Sequence, residues 1–195
     1  MSEQRQRHVR ALTPNVRALR PAQWTVFATA CAERMHPRYL RFAGDNGSKD
    51  VVRVTLDALW AYASGVGRLP RLAPIREIHG HVVANQGAHG QDARGTLEAL
   101  IEAVHCAARP DVHHALTAAE IALDGILLHV HLHASTNNER HESDWEDQAM
   151  LHPLVTKECN RQLADAALLA TIDAHGDRGV QEALRVAARG EAQPT

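Results

Sequence analysis

The sequence predicts an all-α, single-domain helical bundle of about six or seven helices, a count read from its apolar stripes and breaks. Three observations carry that expectation. Alanine is abundant while aromatics make up only 4%, which suits helices and starves a sandwich or barrel of its cross-strand pairs. Apolar residues recur at i, i+3, i+4 and i+7 over most of the chain. Proline and glycine fall between these stripes rather than inside alternating runs. A chain of 195 residues with 45% hydrophobic content can bury a core without disulfides or a structural metal.

Residues 1–18 read as a flexible arm, 19–190 as the helical domain and 191–195 as a fraying tail. Pro21 suits a first helical position, and Trp24, Phe27, Ala28, Cys31 and Met35 form the face that follows. Pro37 is expected to interrupt that helix. After the turn residues Gly44 to Gly47, Ser48 or Asp50 can cap the next helix, with its stripe Val52, Leu56, Leu59, Trp60 and Ala63 ending at Gly65 and Gly67. Residues 68–92 carry Pro70, Pro74, Gly80, Gly87 and Gly90 and are expected to be the least regular part, with one short helix from Pro74.

From Asp92, the residues Ala93, Leu97, Leu100, Ile101, Val104 and Ala108 line one face up to Pro110. The helix begun at Asp111 becomes apolar nearly all round, the pattern of a central helix. The polar run 134–147 reads as a loop, and Ser143-x-x-Glu146 as a capping box opening a short helix. Pro153 starts a long helix that Gly176 closes, and Val180, Ala183, Leu184 and Ala187 mark a last amphipathic one.

Composition also excludes functions. The formal net charge is −2, too balanced for a nucleic-acid binder that works through a basic surface. No apolar signal core and no run of about 20 apolar residues is present, so neither a secretory signal nor a membrane span is expected. Cys31, Cys106 and Cys159 are widely spaced and read as buried thiols of a cytoplasmic protein. No P-loop, GxGxxG or GxSxG occurs.

Four segments in order resemble DUF416, the YjaG-like family of bacterial proteins: CAERMHPRYLRF (Cys31 to Phe42), LDALW (Leu56 to Trp60), TLEALIEAV with the later Ala122-Leu123-Asp124, and HPLV (His152 to Val155) with Glu158 and Gln162. Arg38 stands where the family pattern has asparagine. The resemblance runs from Pro21 to Leu169 and omits residues 64–92 and the histidines after Asp124. It implies an all-helical fold and carries no activity over.

Candidate binding residues are Glu33, Arg34, Tyr39, Asp57, Trp60, Asp124, Trp145 and His152; no catalytic residue is assigned. A carboxylate buried in a bundle needs a partner, and Arg34 or Arg38 is the expected one. The alternative is a polar pocket between helices. His152 is expected to cap or bond backbone at the Pro153 break.

The run His129-x-His131-x-His133 invites a zinc-like transition metal. On a helix, His129 and His133 share a face and His131 does not, so these two are the metal candidates, and incidental histidines are the plainer reading. His79-x-His81 with His89 falls in the irregular segment. His113 and His114 lie at a helix start, where a cationic ring is unfavourable, and are expected to be exposed.

The function expected from these features is non-enzymatic binding of a protein partner, with Trp145 in the acidic run Glu139 to Asp147 as an anchor. One form of that expectation is an immunity protein covering a bacterial toxin. Two alternatives stand beside it: a metal-binding protein or metal-dependent hydrolase built on His129 and His133, and a self-associating housekeeping protein with a small-molecule pocket near Glu33, Asp57 and Asp124. Neither nucleic acid nor membrane is an expected partner.

Overall fold

A computed structural model describes residues 1–43, 49–83, 88–134, 145–172 and 178–190. Among the described residues the chain is all helical, with nine helices and no strand: α1 (Glu3–Arg17), α2 (Pro21–Ala43), α3 (Lys49–Ala63), α4 (Ala73–Val83), α5 (Ala88–Ala108), α6 (Val112–Ala134), α7 (Trp145–Met150), α8 (Pro153–Ala170) and α9 (Arg178–Gly190). The expected caps Ser48 and Ser143, the turn Gly44 to Gly47, the stop Gly176 and the tail 191–195 lie outside the described residues.

The centre is a three-helix layer of α2, α5 and α6. Alanines make it possible: Ala28, Ala32, Ala99, Ala103, Ala118 and Ala122 are buried where these helices meet, and small contact residues shorten the distance between helix axes. Larger groups fill the gaps, with Phe27, Leu56, Leu97 and Leu100 fully buried. Helix α3 packs on α2 and α5, α4 on α5, α8 on α6 and α1, and α9 on α2. A smaller cluster joins Leu123, Leu127 and Val130 of α6 to Ala149, Met150 and Val155.

The predicted stripes of α2, α3 and α5 fall on buried or partly buried faces, except Ala108, which is exposed. Two features differ. Residues 3–17 are not an arm. Ser2 caps α1 by accepting from the Arg5 N–H at 3.2 Å, and His8, Leu12 and Val16, four apart, are buried. Arg10 between them and Arg5, Arg7 and Arg17 around them hid this stripe. Trp24 then pins the helix end, donating Nε1–H to the Val16 carbonyl at 2.8 Å. Second, α2 runs through Pro37. Pro37 only deprives the Glu33 carbonyl of its i+4 donor, and buried neighbours on both sides, Met35 and Tyr39, hold the helix together.

The irregular segment contains α4, which carries His79 and His81, and α5 begins at Ala88 rather than Asp92. Gly65 ends the turn after α3 at φ +72°, a left-handed conformation open to glycine. One helix, Val112–Leu132, is long and apolar enough to cross a membrane by length and composition alone, at a mean hydropathy of 1.4. In the bundle that helix contacts α1, α2, α5, α7 and α8, the surroundings of a core helix.

Candidate functional site

Glu33, Asp57 and Trp60 converge where α2, α3 and α9 meet. Glu33 is 1% exposed and lies off the apolar stripe of α2. A carboxylate there needs full compensation. Arg53, one turn before Asp57 on α3, supplies most of it: Nη1 donates to Glu33 Oε1 and Nη2 to Oε2 at 2.8 Å. The same guanidinium bonds Asp57, Nη2 to Oδ1 at 3.0 Å and Nε to Oδ2 at 3.2 Å. Trp60 donates its indole N–H to Glu33 Oε2 at 2.9 Å.

Helix α9 completes the cluster from the far end of the chain. Arg185 Nη2 donates to Asp57 Oδ1 at 2.9 Å. Arg189 donates from Nη2 to Asp57 Oδ1 and from Nε to Glu33 Oε1, the latter at 3.3 Å. Three guanidiniums thus meet Glu33 and Asp57, and Arg185 Nη1 also lies 3.6 Å from Glu182 Oε2, so three cations face three carboxylates. Burial raises the Glu33 carboxyl, but the hydrogen bond and charge of Arg53, with Trp60 and Arg189, hold it below the usual range. Burial likewise raises Asp57, and Arg53, Arg189 and Arg185 bring it down. Both are anions at neutral pH.

His36, one turn after Glu33 on α2, is 8% exposed. Burial first, then the charge of Arg53, depresses its pKa, so the ring is neutral. Its Nε2 has no hydrogen-bond partner, and neither has the buried Nε of Arg185. Buried polar atoms are almost always satisfied, so two open positions in one charge cluster mark where a water or ligand belongs. At the Arg185 side of the cluster runs a groove of about 330 Å³ lined by Asp57, Trp60, Ser64, Gln181, Glu182 and Arg185.

The other candidates lie elsewhere. Arg34 is not the partner of Glu33. It points to α8, where Nε and Nη2 each donate to Glu158 at 3.0 Å and Nη1 to Asp165 at 2.6 Å. Burial opposes its charge, but Glu158 and Asp165 outweigh that and raise its pKa. Gln162 extends this network, donating to Glu158 and to the Ala119 carbonyl, both at 3.0 Å, and meeting His8 at 2.9 Å. Arg38 faces Asp92 at 3.8 Å. Tyr39 is fully buried in the core. Asp124 is exposed and pairs with Arg5 at 2.6 Å, far from the pocket expected for it.

Trp145 is half-buried, packed on the second cluster with its ring 4.6 Å from that of His131, so it is a packing residue. Residues 139–144 of its acidic run lie outside the described residues, and Glu146 accepts from the Ser2 N–H at 3.0 Å. His152 caps α8 as expected: its Nδ1 accepts from the Leu154 N–H at 3.3 Å, with Pro153 following. His129 and His133 do sit four apart on α6. Among the described residues no metal-competent trio includes His129, and the side chain of His133 lies outside them. His114 is not exposed but bonded to Glu102 at 2.7 Å. All three thiols are free. Burial pushes Cys31 up to about 12 and Cys106 and Cys159 up to about 11, so none is a ready nucleophile.

His36, Arg53, Arg185 and Arg189 were missed. The signals were short-range pairs: Glu33-x-x-His36, Arg53-x-x-x-Asp57 and Arg185-x-x-x-Arg189 each place two chemical groups on one helix face. Nothing local indicated that the three faces meet.

Comparison with known proteins agrees with this architecture. A crystal structure of a DUF416 family protein from Shewanella baltica OS155 superposes with a TM-score of 0.73 at 15% identity, over 90% of this chain and 92% of that one. No curated protein matches. The family model for DUF416, described as a protein of unknown function, matches residues 12–192. The chain therefore belongs to the DUF416 family.

Proposed function

We propose that the chain is a non-enzymatic binding protein whose ligand is a small oxyanion, taken up beside α3 and α9 by Arg53, Arg185 and Arg189 next to His36. One observation carries this reading: three guanidiniums gather at the cluster, and two of its buried nitrogens, Arg185 Nε and His36 Nε2, have no hydrogen-bond partner among the described residues. Guanidinium forks match oxyanions in shape and charge. The adjoining groove is the size of a small-molecule site, and Trp60 supplies it with an apolar wall. This is the small-molecule alternative of the sequence reading, with Asp124 removed from it and α9 added.

The test is calorimetry and thermal unfolding with inorganic phosphate as the probe. Phosphate is expected to bind once per chain and to raise Tm, since a ligand that binds only the folded state stabilises it. Arg185→Lys keeps the charge that supports Asp57 but removes the fork, and is expected to weaken binding about 10-fold or more while leaving the fold intact. Absence of binding at millimolar phosphate, or equal binding by Arg185→Lys, contradicts the proposal.

A further inference from the structure

Where α5 turns into α6, three metal-competent side chains come together that the cluster at Glu33 does not use. Glu102 and His105 are three apart on α5 and share a face. His114 faces them from the first turn of α6. The turn between the two helices sets this placement. Pro110 closes α5, and Asp111 Oδ1 accepts the His113 N–H at 2.8 Å, so the start of α6 is capped and His114 is directed back at Glu102. His114 Nδ1 lies 2.7 Å from Glu102 Oε2. The rings of His105 and His114 are 5.3 Å apart and tilted by 52°, not stacked, so their nitrogens can converge.

One donor atom from each of the three residues lies within 4.8 Å of the others. We infer that Glu102, His105 and His114 form a divalent transition-metal site at the α5–α6 turn, with three protein ligands and a position open to water. Two imidazoles and a carboxylate are a common zinc donor set, and tetrahedral zinc bonds of about 2.0–2.2 Å put ligand atoms about 3.3 Å apart, so the 2.7 Å pair must open slightly and any separation toward 4.8 Å must close. Rotation of half-buried side chains provides that movement. Glu102 and His114 have side chains 22% and 26% exposed, which leaves the fourth position in reach of solvent. From α4, Arg76 Nη2 lies 3.4 Å from His105 Nε2, a long contact that a bound ion replaces. Arg76 therefore opposes the metal, both as a cation and as a competitor for that nitrogen.

The site is independent of the oxyanion proposal and distinct from the His129 and His133 pair. The experiment is titration of the untagged full chain with Zn²⁺ by calorimetry, with native mass spectrometry for stoichiometry. One zinc per chain is expected. His105→Ala, His114→Ala and the shape-conserving Glu102→Gln are each expected to weaken binding by at least about 10-fold, with far-ultraviolet circular dichroism unchanged. Arg76→Ala is expected to tighten it, an outcome that a purely structural His114–Glu102 hydrogen bond does not produce. The inference is overturned if the chain takes no zinc at micromolar concentration. It is equally overturned if zinc binding survives His114→Ala and Glu102→Gln but is lost in the double variant His129→Ala, His133→Ala.

Discussion

Arg189 Nε lies 3.3 Å from Glu33 Oε1, joining the last helix to the second across 156 positions of chain. The contact makes α9 a structural part of the site. Its apolar hold is small, Leu184 and Ala188. Gln181 adds hydrogen bonds to Ser64 and to the Ala63 carbonyl, at 2.7 and 3.3 Å. Glu33→Ala strips the buried partner from Arg53, Arg189 and Trp60 together. The expected loss is about 3–5 kcal/mol, the usual effect of breaking a buried pair, read from urea unfolding. A loss below about 1 kcal/mol contradicts the role given to Glu33.

Stability is expected to fall with acid in two stages. His36 has a folded pKa below its ordinary value of 6.5. The unfolded chain therefore binds its proton first, so the contribution of neutral His36 is complete above 6.5 and declines as pH falls from there toward the folded value. Glu33 and Asp57 are depressed below their ordinary values of 4.5 and 3.8. Their contribution is present above those values and disappears as pH falls through the lower folded ones. Urea midpoints measured across this range should show the first stage flattened in His36→Asn and the second retained. An identical pH profile in that variant counts against the burial of His36.

The Arg34 network is expected to behave as one unit. Glu158 and Asp165 have side chains 6% and 4% exposed, and Arg34→Met removes their shared guanidinium, leaving Glu158 the Gln162 amide at 3.0 Å and Asp165 the more exposed Arg161 at 3.2 Å. A cost of about 3–5 kcal/mol follows. The triple variant Arg34→Met, Glu158→Leu, Asp165→Leu should recover most of it, because an apolar replacement of a buried ion cluster removes the desolvation cost as well. Chemical denaturation of the four-member cycle decides this, and additive losses would exclude coupling.

Two glycines give opposite expectations. A Cβ at Gly80 meets nothing within 4 Å, and Gly80 lies inside α4, so Gly80→Ala should stabilise by about 0.5–1 kcal/mol. A Cβ at Gly67 comes within 2.8 Å of Ala61 Cβ and 2.9 Å of the Tyr62 backbone nitrogen. Gly67→Ala should therefore lower Tm, and scanning calorimetry on both variants checks the contrast.

Where a helix presents its apolar face continuously, the sequence was legible. Val52, Leu56, Leu59 and Trp60 needed only their spacing, and all four are buried. Helix α1 was not, because its buried residues Leu12 and Val16 are separated by a proline and flanked by arginines. Pro37 misled in the other direction: its local cost is real, but burial on both sides of it dominates. Of the site, Glu33 and Asp57 were visible as carboxylates on otherwise apolar helices, with Trp60 three residues after Asp57 on the stripe of α3. Their partners Arg185 and Arg189 were not, since a contact between α9 and α2 is decided by packing and leaves no mark in either segment. The same holds for His114, whose neighbour Glu102 sits one helix earlier.

The most direct measurement is a nitrogen-15 NMR titration with phosphate, following the arginine Nε–H signals and the histidine ring nitrogens. The expected result is a saturable shift of Arg185 Nε and of the His36 ring at one common affinity, absent in Arg185→Lys. Shifts confined to other arginines, with Arg185 and His36 unmoved, would contradict an oxyanion site at this cluster.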